Sequence, residues 1–326
     1  FCSRKSFNNQ YGLPLELLNM PRHTKYGFFE IGMNHSGEIK RLVKVLQPQT
    51  AIILNVENVH LGNFKSLKEI ALAKSEIFTS TKSIENLIIN RNSNFYKLLY
   101  ILFKKSKIST CLDIGKVKSS KVYLKKETNI SNIIKYQVIL PDASKLDFNL
   151  RKNQKNLIFN ALAIITCFYM LGLNLKLINQ FKNVPFTEGR GEILKSKYKG
   201  NKLELHDHSY NASPVSMRDT IDIFNKFKNK HLVYVIGDMN ELGNKSKKFH
   251  MDLIKYLILI KAKKVIFVGS KLYSLRKRYK RLQFEYYENI DSVISNAEKI
   301  FNRNSKVFLK GSNSINLRKL SNHLIS

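Results

Sequence analysis

The chain has 326 residues, and its 56 lysines and arginines against 24 aspartates and glutamates give a formal net charge of +32 at pH 7. At roughly 150 residues per domain, this length predicts two domains. The content of 43% hydrophobic residues excludes intrinsic disorder as the main state. The charge is compatible with nucleic acid, anionic membranes, nucleotides or phosphorylated substrates as partners, and does not choose among them.

The cysteines bear on the compartment. Cys2, Cys111 and Cys167 are widely spaced and form no CxxC pair, so neither a disulfide framework nor a zinc knuckle is indicated. A reducing, cytoplasmic location fits best. The longest apolar stretches fall short of the roughly 18 residues that a membrane-spanning helix needs.

In chain order, the first half alternates short apolar runs with helical patterns, which predicts βαβ units and a mainly parallel sheet. Ser66 and Glu69 have the spacing of a capping box, which favours a helix that starts at Ser66. We predict strands at 26–31 and 51–56, helices at 37–46, 66–78 and 154–171, and antiparallel strands within 121–150.

A break rich in proline and glycine at 184–191 is the best domain boundary, which we place between domains 1–187 and 188–326. Beyond it the alternation resumes and predicts a second, smaller α/β domain. We predict strands at 202–205, 231–236, 264–268 and 306–309, and helices at 213–227 and 247–260.

Three polar residues of the first half stand near strand ends, where open parallel sheets bind ligands. Glu30 is the lone acid of an apolar predicted strand, where burial is costly unless the carboxylate is paired or holds a metal. His60 follows the strand 51–56, and Lys74 lies in the next helix. Each has an ordinary alternative, namely a salt bridge for Glu30, a plain loop for His60 and a solvated helix face for Lys74.

Polar segments also follow the predicted strands of the second half. His206 and His208 share a strand face, but two imidazoles without a spaced third ligand do not favour zinc. The loop 237–243 places two carboxylates between glycines, and the loop 310–312 offers an ammonium, a hydroxyl and backbone N–H groups to an anion. A plain turn is the alternative for each loop.

Nucleic-acid binding deserves a direct test because the charge suggests it. The basic run at 275–281 is the best local match to a phosphate-backbone contact, with a solvated helix face as the alternative. The sequence has no helix-turn-helix signature, RNP-type strand or zinc-finger spacing. The charge alone therefore does not establish nucleic acid as the partner.

Taken in order, these segments resemble the Mur ligase family, and the resemblance spans essentially the whole chain. The segments SYNAxP and GDMxELG are specific to those members that handle D-alanyl-D-alanine. The full series comprises Phe7 to Pro14, Glu30 to Ile39, Asn55 to Leu61, Ala73 to Phe78, Asn160 to Ala163, Gly189 and Arg190, Ser209 to Ala212, Gly237 to Gly243, and Lys310 to Ser312.

The resemblance implies an α/β fold with a central ATP-binding domain on a mainly parallel sheet, followed by a smaller Rossmann-like domain. It also implies an ATP-dependent ligase that joins D-alanyl-D-alanine to UDP-N-acetylmuramoyl-tripeptide in peptidoglycan synthesis. The tripeptide carboxylate would be phosphorylated to an acyl phosphate and then attacked by the dipeptide amine, with magnesium at the ATP phosphates. The expected partners are ATP, Mg²⁺ and these two substrates, and we expect a monomer.

The resemblance further implies roles for individual residues. Glu30, His60 and a carbamylated Lys74 would hold magnesium and form the catalytic centre. The nucleotide contacts would be Asn160 with adenine, Arg190 with the phosphates and Asp207 with the ribose. The substrate contacts would be Asn8, Asn9, Asn34 and His35 on the muramoyl side, and Tyr210, Asn211, Lys310 and Ser312 on the dipeptide side.

The chain departs from the family pattern at several positions. Asn156, His208 and Asn313 stand where the family has a histidine, an acid and an arginine. The glycine-rich P-loop that should precede Phe7, and the UDP-binding domain before it, are not in these 326 residues. We therefore expect a part of a longer enzyme that by itself binds ATP weakly and does not turn over.

Two other classes of function stay open. A Mur-ligase-like binding or scaffold module would keep the fold without catalysis, and a nucleic-acid-binding protein would use the basic surface. An in-frame glycine-rich loop encoded upstream of Phe1 would favour the ligase over the scaffold.

Overall fold

The computed structural model describes residues 1–3, 6–57, 63–184, 188–227, 231–280 and 284–325. These residues form two compact units, each with its own six-stranded sheet. The N-terminal unit comprises Phe1–Glu57 and Asn63–Val184, and the C-terminal unit comprises the described residues from 188 onward. The domain boundary at 187 stays a prediction, because residues 185–187 lie outside the described ranges.

The N-terminal sheet follows chain order from β1 to β6, parallel from β1 to β4 and antiparallel from β4 to β6. Two 3-10 helices, Lys152–Leu157 and Leu175–Asn183, flank its last helix. The elements are α1 (Gly12–Leu18), α2 (Glu38–Leu46), β1 (Thr50–Ile53), α3 (Leu67–Thr79), β2 (Asn86–Asn90), α4 (Tyr96–Lys104), β3 (Thr110–Gly115), β4 (Val122–Ile130), β5 (Ile133–Ile139), β6 (Lys145–Arg151) and α5 (Ile158–Met170).

The core of this unit forms between α5 and the sheet, because α5 is apolar along almost its whole length. Leu162 of α5 and Ile114 of β3 are fully buried there. The rings of Tyr136 and Phe148 stack across β5 and β6 with their centroids 5.4 Å apart. Burial of such large side chains stabilises the fold by about 2 kcal/mol each.

The predicted start of α3 is confirmed at Ser66. The backbone N–H of Glu69 donates to the Ser66 hydroxyl at 3.2 Å. In a complete capping box the Glu69 carboxylate would accept from the N–H of Ser66. Here it accepts from the N–H of the preceding residue, Lys65, at 2.8 Å.

The predicted strand at 26–31 is wrong. Phe28 forms one isolated bridge with Cys2, supported by hydrogen bonds from the N–H of Ser3 to the Phe28 oxygen and from the N–H of Phe28 to the Phe1 oxygen. A strand needs several consecutive pairs, and within the described residues the ladder does not extend beyond this bridge.

The C-terminal sheet has the order β11–β10–β9–β12–β8–β7 and is parallel except for the β7–β8 hairpin. This unit and the first together confirm the predicted α/β class. The elements are β7 (Glu192–Tyr198), β8 (Asn201–His208), α6 (Pro214–Asn225), β9 (Leu232–Gly237), α7 (Ser246–Leu259), β10 (Lys264–Val268), α8 (Ser270–Ser274), β11 (Glu285–Tyr287), α9 (Ile290–Ser295), α10 (Ala297–Ile300), β12 (Ser305–Lys310) and α11 (Arg318–Ile325).

Helices cover both faces of this sheet, so its central strands are buried on both sides. Val307 and Leu309 pack toward α9, α10 and α11, and Phe308 packs toward α6 and α7. This explains why β12 reads as a continuous apolar run rather than an alternation.

Several features of the C-terminal unit differ from the prediction, which did not include β7, α8, β11, α9, α10 or α11. The edge strand β7 pairs with β8 through a tight turn, in which Lys199 and Gly200 both have positive φ. The basic run begins in turns over 275–280 rather than on a helix face, because α8 ends at Ser274. Residue 281 lies outside the described ranges.

Among the described residues, no helix has the length and apolarity to cross a bilayer.

Candidate functional site

Lys74 of α3 lies near two carboxylates of the N-terminal unit. Its side chain is half-buried, and burial lowers the pKa of its ammonium, while the charges of Glu57 and Glu30 act to raise that pKa. Glu57 stands shortly after β1, at the carboxyl end of a parallel strand. The structure thus places Glu30 and Lys74 within electrostatic range of each other and adds Glu57, which the sequence reasoning missed.

Glu30 itself is exposed and lies outside any strand. The expectation of a buried acid that needs a partner is therefore wrong, since water solvates an exposed carboxylate. Its exposure leaves the carboxylate accessible to a cation or a substrate from solvent. His60 lies outside the described residues, so its predicted role stays a prediction.

Glu76, in the same helix as Lys74, has a structural role. Its carboxylate accepts hydrogen bonds from the N–H of Gly37 at 2.7 Å, the N–H of Lys40 at 3.0 Å and the hydroxyl of Ser36 at 3.2 Å. These donors surround the start of α2, where unpaired N–H groups favour a negative charge. Glu76 therefore fastens α2 to α3, and Lys74 is the charged group of this motif whose pKa responds to Glu30 and Glu57.

The two predicted muramoyl-side segments pack against each other. The side-chain oxygen of Asn9 accepts from the N–H groups of Tyr11 at 3.0 Å and Gly12 at 2.9 Å, which starts α1. The N–H of Gly32 donates to the backbone oxygen of Asn8 at 2.8 Å, and a Cβ on Gly32 would lie 2.9 Å from the Asn8 side chain. Glycine at this position allows the close contact between the segments.

Three other predicted contacts of this unit are exposed: Asn34, His35 and Asn160. The N–H of Asn34 donates to the Glu38 carboxylate at 2.7 Å, which holds the loop before α2. Asn160 lies in the first turn of α5. The side chains of all three can reach a ligand without displacing core residues.

Asp207 near the end of β8 is fully buried. Its carboxylate accepts from the Ser209 N–H at 2.9 Å, the Arg318 guanidinium at 2.8 Å and the Ser321 hydroxyl at 2.7 Å. Burial alone would raise its pKa, and these hydrogen bonds outweigh burial and lower it. Asp207 anchors α11, and its full burial keeps the carboxylate out of reach of a ribose that approaches from solvent.

Lys310, at the end of β12, forms a hydrogen bond with the loop after β8. Its ammonium is buried and donates to the backbone oxygen of Asn211 at 2.9 Å. Burial and the nearby charge of Arg190 lower its pKa to about 8, and Asp219 acts in the opposite direction. The guanidinium of Arg190 lies 4.2 Å from the ring centroid of Tyr210, a cation–π contact. Four of the predicted residues thus come together at one edge of the sheet.

The loops after β9 and β12 are fastened to each other. The Asn240 N–H donates to the Ser312 hydroxyl at 2.8 Å, and the Ser312 N–H donates to the Asp238 oxygen at 2.9 Å. The Asp238 carboxylate accepts from the N–H groups of Lys271 and Leu272, both at 2.9 Å. Asp238 therefore orders the loop, while Glu241 of the same loop is exposed.

The histidines of β8 are engaged within the unit. His206 Nε2 lies 2.8 Å from the Glu204 carboxylate, and the ring of His208 packs 5.6 Å from that of Phe308. Burial and the charge of Lys310 lower the pKa of His208 to about 4, so it is neutral at pH 7. Among the described residues, no three His, Cys, Asp or Glu side chains form a metal-holding group.

Four charged residues that the sequence reasoning missed interact with Lys74 in the N-terminal unit or with Lys310, Asp238 and Asp207 in the C-terminal unit. Glu57 had a local signal, since it is an acid just after a strand. Asp219, Lys271 and Arg318 had none, because packing brings them to Lys310, Asp238 and Asp207 from distant parts of the chain. The list of missed residues is Glu57, Asp219, Lys271 and Arg318.

Two family profiles match the sequence. The profile of the Mur ligase middle domain matches residues 2–168, and that of the Mur ligase, glutamate ligase domain, matches residues 189–313. The first match covers more than half of the chain, and the second lies within the C-terminal unit.

Individual relatives match over nearly the whole chain. The UDP-N-acetylmuramoyl-tripeptide--D-alanyl-D-alanine ligase of Rickettsia prowazekii is 29% identical over 98% of this chain and 71% of its own length. The ligase of the same name from Borreliella burgdorferi is 29% identical over 97% of this chain and 67% of its own.

Solved structures show the same arrangement of elements. MurF from Acinetobacter baumannii superimposes with a TM-score of 0.82 at 25% identity, covering 99% of this chain and 70% of that one. MurF ligase from Thermotoga maritima, solved in complex with ADP, gives a TM-score of 0.77 at 21% identity, covering 99% and 72%.

Proposed function

The chain belongs to the Mur ligase family, and we propose that it serves the ATP-dependent joining of D-alanyl-D-alanine to UDP-N-acetylmuramoyl-tripeptide. Support comes from relatives of that name that match 97–98% of the chain. The chemistry forms an amide bond, so a carboxylate must first be activated, here as an acyl phosphate formed from ATP. Such a reaction belongs to the cytoplasmic steps of cell-wall synthesis.

The observation that carries the proposal is the position of Lys74. A half-buried amine with a lowered pKa is neutral more often than a surface lysine, and a neutral amine can react with carbon dioxide. Carbamylation would convert a cation into an anion beside Glu30 and Glu57. The Lys74 amine would therefore change from a partner of these carboxylates into a third acidic ligand.

The donors near Lys74 suit magnesium, which prefers carboxylate oxygens and keeps several waters. Glu30 is exposed and can take up a hydrated cation, and Glu57 adds a second carboxylate within electrostatic range of Lys74. His60 is the further ligand that the family resemblance predicts. When bound, magnesium would neutralise charge on the ATP phosphates.

In the C-terminal unit, Arg190 and Lys310 would receive anionic groups of the substrates. Arg190 is exposed while Tyr210 supports its guanidinium, so the side chain is pre-oriented toward solvent. Lys310 is buried and oriented by Asn211. We propose that Asn211 and Ser312 position the dipeptide, because their loops are held by hydrogen bonds rather than left mobile.

The test is phosphate release from ATP that depends on both substrates, measured on the protein as its gene encodes it. We expect Glu30→Ala, His60→Ala and Lys74→Ala each to lower turnover at least about 100-fold. Lys68→Ala changes an exposed lysine of the same helix α3 and should retain wild-type turnover.

Wild-type turnover in Lys74→Ala would contradict the assignment of the catalytic centre. Nucleotide binding without any substrate-dependent phosphate release would instead favour the non-catalytic binding module.

A further inference from the structure

A basic cavity lies in the C-terminal unit, away from the loops that follow its strands. It has a volume of about 700 Å³, within the usual range of small-molecule sites. Its lining comes mainly from the amino-terminal ends of β8 and β12 and from the second half of β7. The loops of the proposed function stand at the carboxyl ends of β8, β9 and β12, roughly 20 Å away for strands of six residues.

Positive charge dominates this cavity. Four lysines line it, namely Lys195, Lys197, Lys202 and Lys306, against the single carboxylate of Glu204. That carboxylate is already used, because one of its oxygens pairs with the buried ammonium of Lys306 and with His206. The negative charge within the cavity is therefore neutralised from inside the fold.

The other three lysines differ in what stands across the strand pair, since Lys195 lies opposite Glu204 and Lys197 lies opposite Lys202. Lys195, Lys197 and Lys202 are exposed, and none of them has an ion-pair partner among the described residues. Lys197 and Lys202 stand directly opposite each other in the β7–β8 ladder, an arrangement in which like charges destabilise the pair. A bound anion would remove this repulsion.

The floor and walls of the cavity are fixed by the fold. Leu203 is buried, and the ammonium of Lys306 lies 4.3 Å from the ring centroid of Phe227. The amide oxygen of Asn304 accepts from the Lys202 N–H at 2.7 Å, which leaves the amide NH₂ as a further donor. The cavity thus combines a rigid base with several donors for oxygen atoms.

We propose that this cavity binds a small oligophosphate, either free or as the phosphate chain of a nucleotide. Four lysines around one small cavity, two of them opposite each other in the β7–β8 ladder, match a compact ligand with several negative charges. None of the residues that line this cavity belongs to the proposed catalytic or substrate-binding set, and its occupancy does not depend on turnover.

The experiment is calorimetric titration of the 326-residue chain with inorganic tripolyphosphate. Lys197→Glu should weaken binding at least about tenfold, the loss expected for one charge-assisted contact. The same variant should raise Tm without ligand, because it turns a like-charged cross-strand pair into an opposite one. Lys202→Gln should weaken binding in the same direction. Lys247→Glu, at an exposed lysine of α7, is the matched control and should bind within twofold of wild type.

Equal affinity for tripolyphosphate and ATP would identify the phosphate chain as the ligand, and tighter ATP binding with the same loss in Lys197→Glu would identify a nucleotide. Equal losses in Lys197→Glu and Lys247→Glu would overturn the proposal in favour of diffuse charge. Binding only to RNA or to anionic vesicles, and not to tripolyphosphate, would overturn it as well.

Discussion

The buried ammonium of Lys310 donates a hydrogen bond to the backbone oxygen of Asn211 at 2.9 Å and so ties the loop after β12 to the loop after β8. The two residues are 99 positions apart in the chain. Both loops leave parallel strands at the same edge of the sheet, and the lysine closes the gap between them. Its charge is therefore placed by the fold rather than by its sequence neighbours.

The lowered pKa of Lys310 predicts a pH dependence of stability. Its pKa falls from 10.5 to about 8 through burial and through Arg190, so between these values the unfolded chain carries a proton that the folded chain lacks. The free energy of unfolding should therefore rise with pH from about 8 to 10.5, relative to Lys310→Met, by on the order of 2 kcal/mol. Urea unfolding across this range measures the difference, with Lys247→Met as a control. A constant difference between wild type and Lys310→Met would show that Lys310 is not neutral in the folded state.

Asp207 should be a strong anchor of α11. Asp207→Asn keeps the shape but removes the charge that Arg318 and Ser321 bind, and we expect a loss of about 3 kcal/mol in the free energy of unfolding. Since the pKa of Asp207 is lowered, its contribution is present above the ordinary carboxyl pKa and is lost as the pH falls through the lowered value. Asp291→Asn breaks the exposed pair with Lys319 in the same region and should cost much less. Equal losses in the two variants would argue against the buried anchor.

Glu76 should stabilise the start of α2. Glu76→Ala removes the acceptor for the Gly37 and Lys40 N–H groups, and we expect a loss of about 1–2 kcal/mol in the free energy of unfolding. Glu298→Ala, at an exposed pair with Lys199, is the control for loss of a carboxylate. Amide hydrogen exchange should quicken at Gly37 and Lys40 in Glu76→Ala and stay unchanged in the control. Unchanged protection at both amides would rule out the cap.

Gly237 and Gly311 let the ends of β9 and β12 approach backbone to backbone. A Cβ on Gly311 would lie 2.8 Å from the Gly237 Cα, closer than real side chains come to a backbone atom. We expect Gly311→Ala to cost about 1–3 kcal/mol in denaturant unfolding, and Gly311→Val to cost more. If Gly311→Ala unfolds at the wild-type midpoint, the close approach does not exist in solution.

The relatives' series of motifs mixes two kinds of residue, and only the structure separates them. Glu76 and Asp207 look as functional in the sequence as Lys74 and Lys310 do. In the fold, the carboxylates of Glu76 and Asp207 accept hydrogen bonds that hold helices in place. The amines of Lys74 and Lys310 instead have pKa values that burial lowers and that nearby charged side chains shift further. A match to a motif does not by itself say which of its residues contacts a ligand.

The sequence by itself determined most elements and the α/β class, because these depend on local patterns. Ser66 starts α3 through its own hydroxyl, the strands within 121–150 follow their turns, and the apolar run at 306–309 forms a strand buried on both faces. Each of these signals involves residues only a few positions apart, so it is legible without knowledge of the fold.

Tertiary structure alone decided which charges meet. Arg318 reaches Asp207 across 111 positions, and Lys197 faces Lys202 through a hairpin that the sequence pattern did not reveal. Glu30 is exposed, and its segment forms a single bridge between Phe28 and Cys2 instead of a strand. Pairings of this kind depend on the three-dimensional path of the backbone, since the energy of a charge is set by its neighbours in space and its burial rather than by its position in the chain.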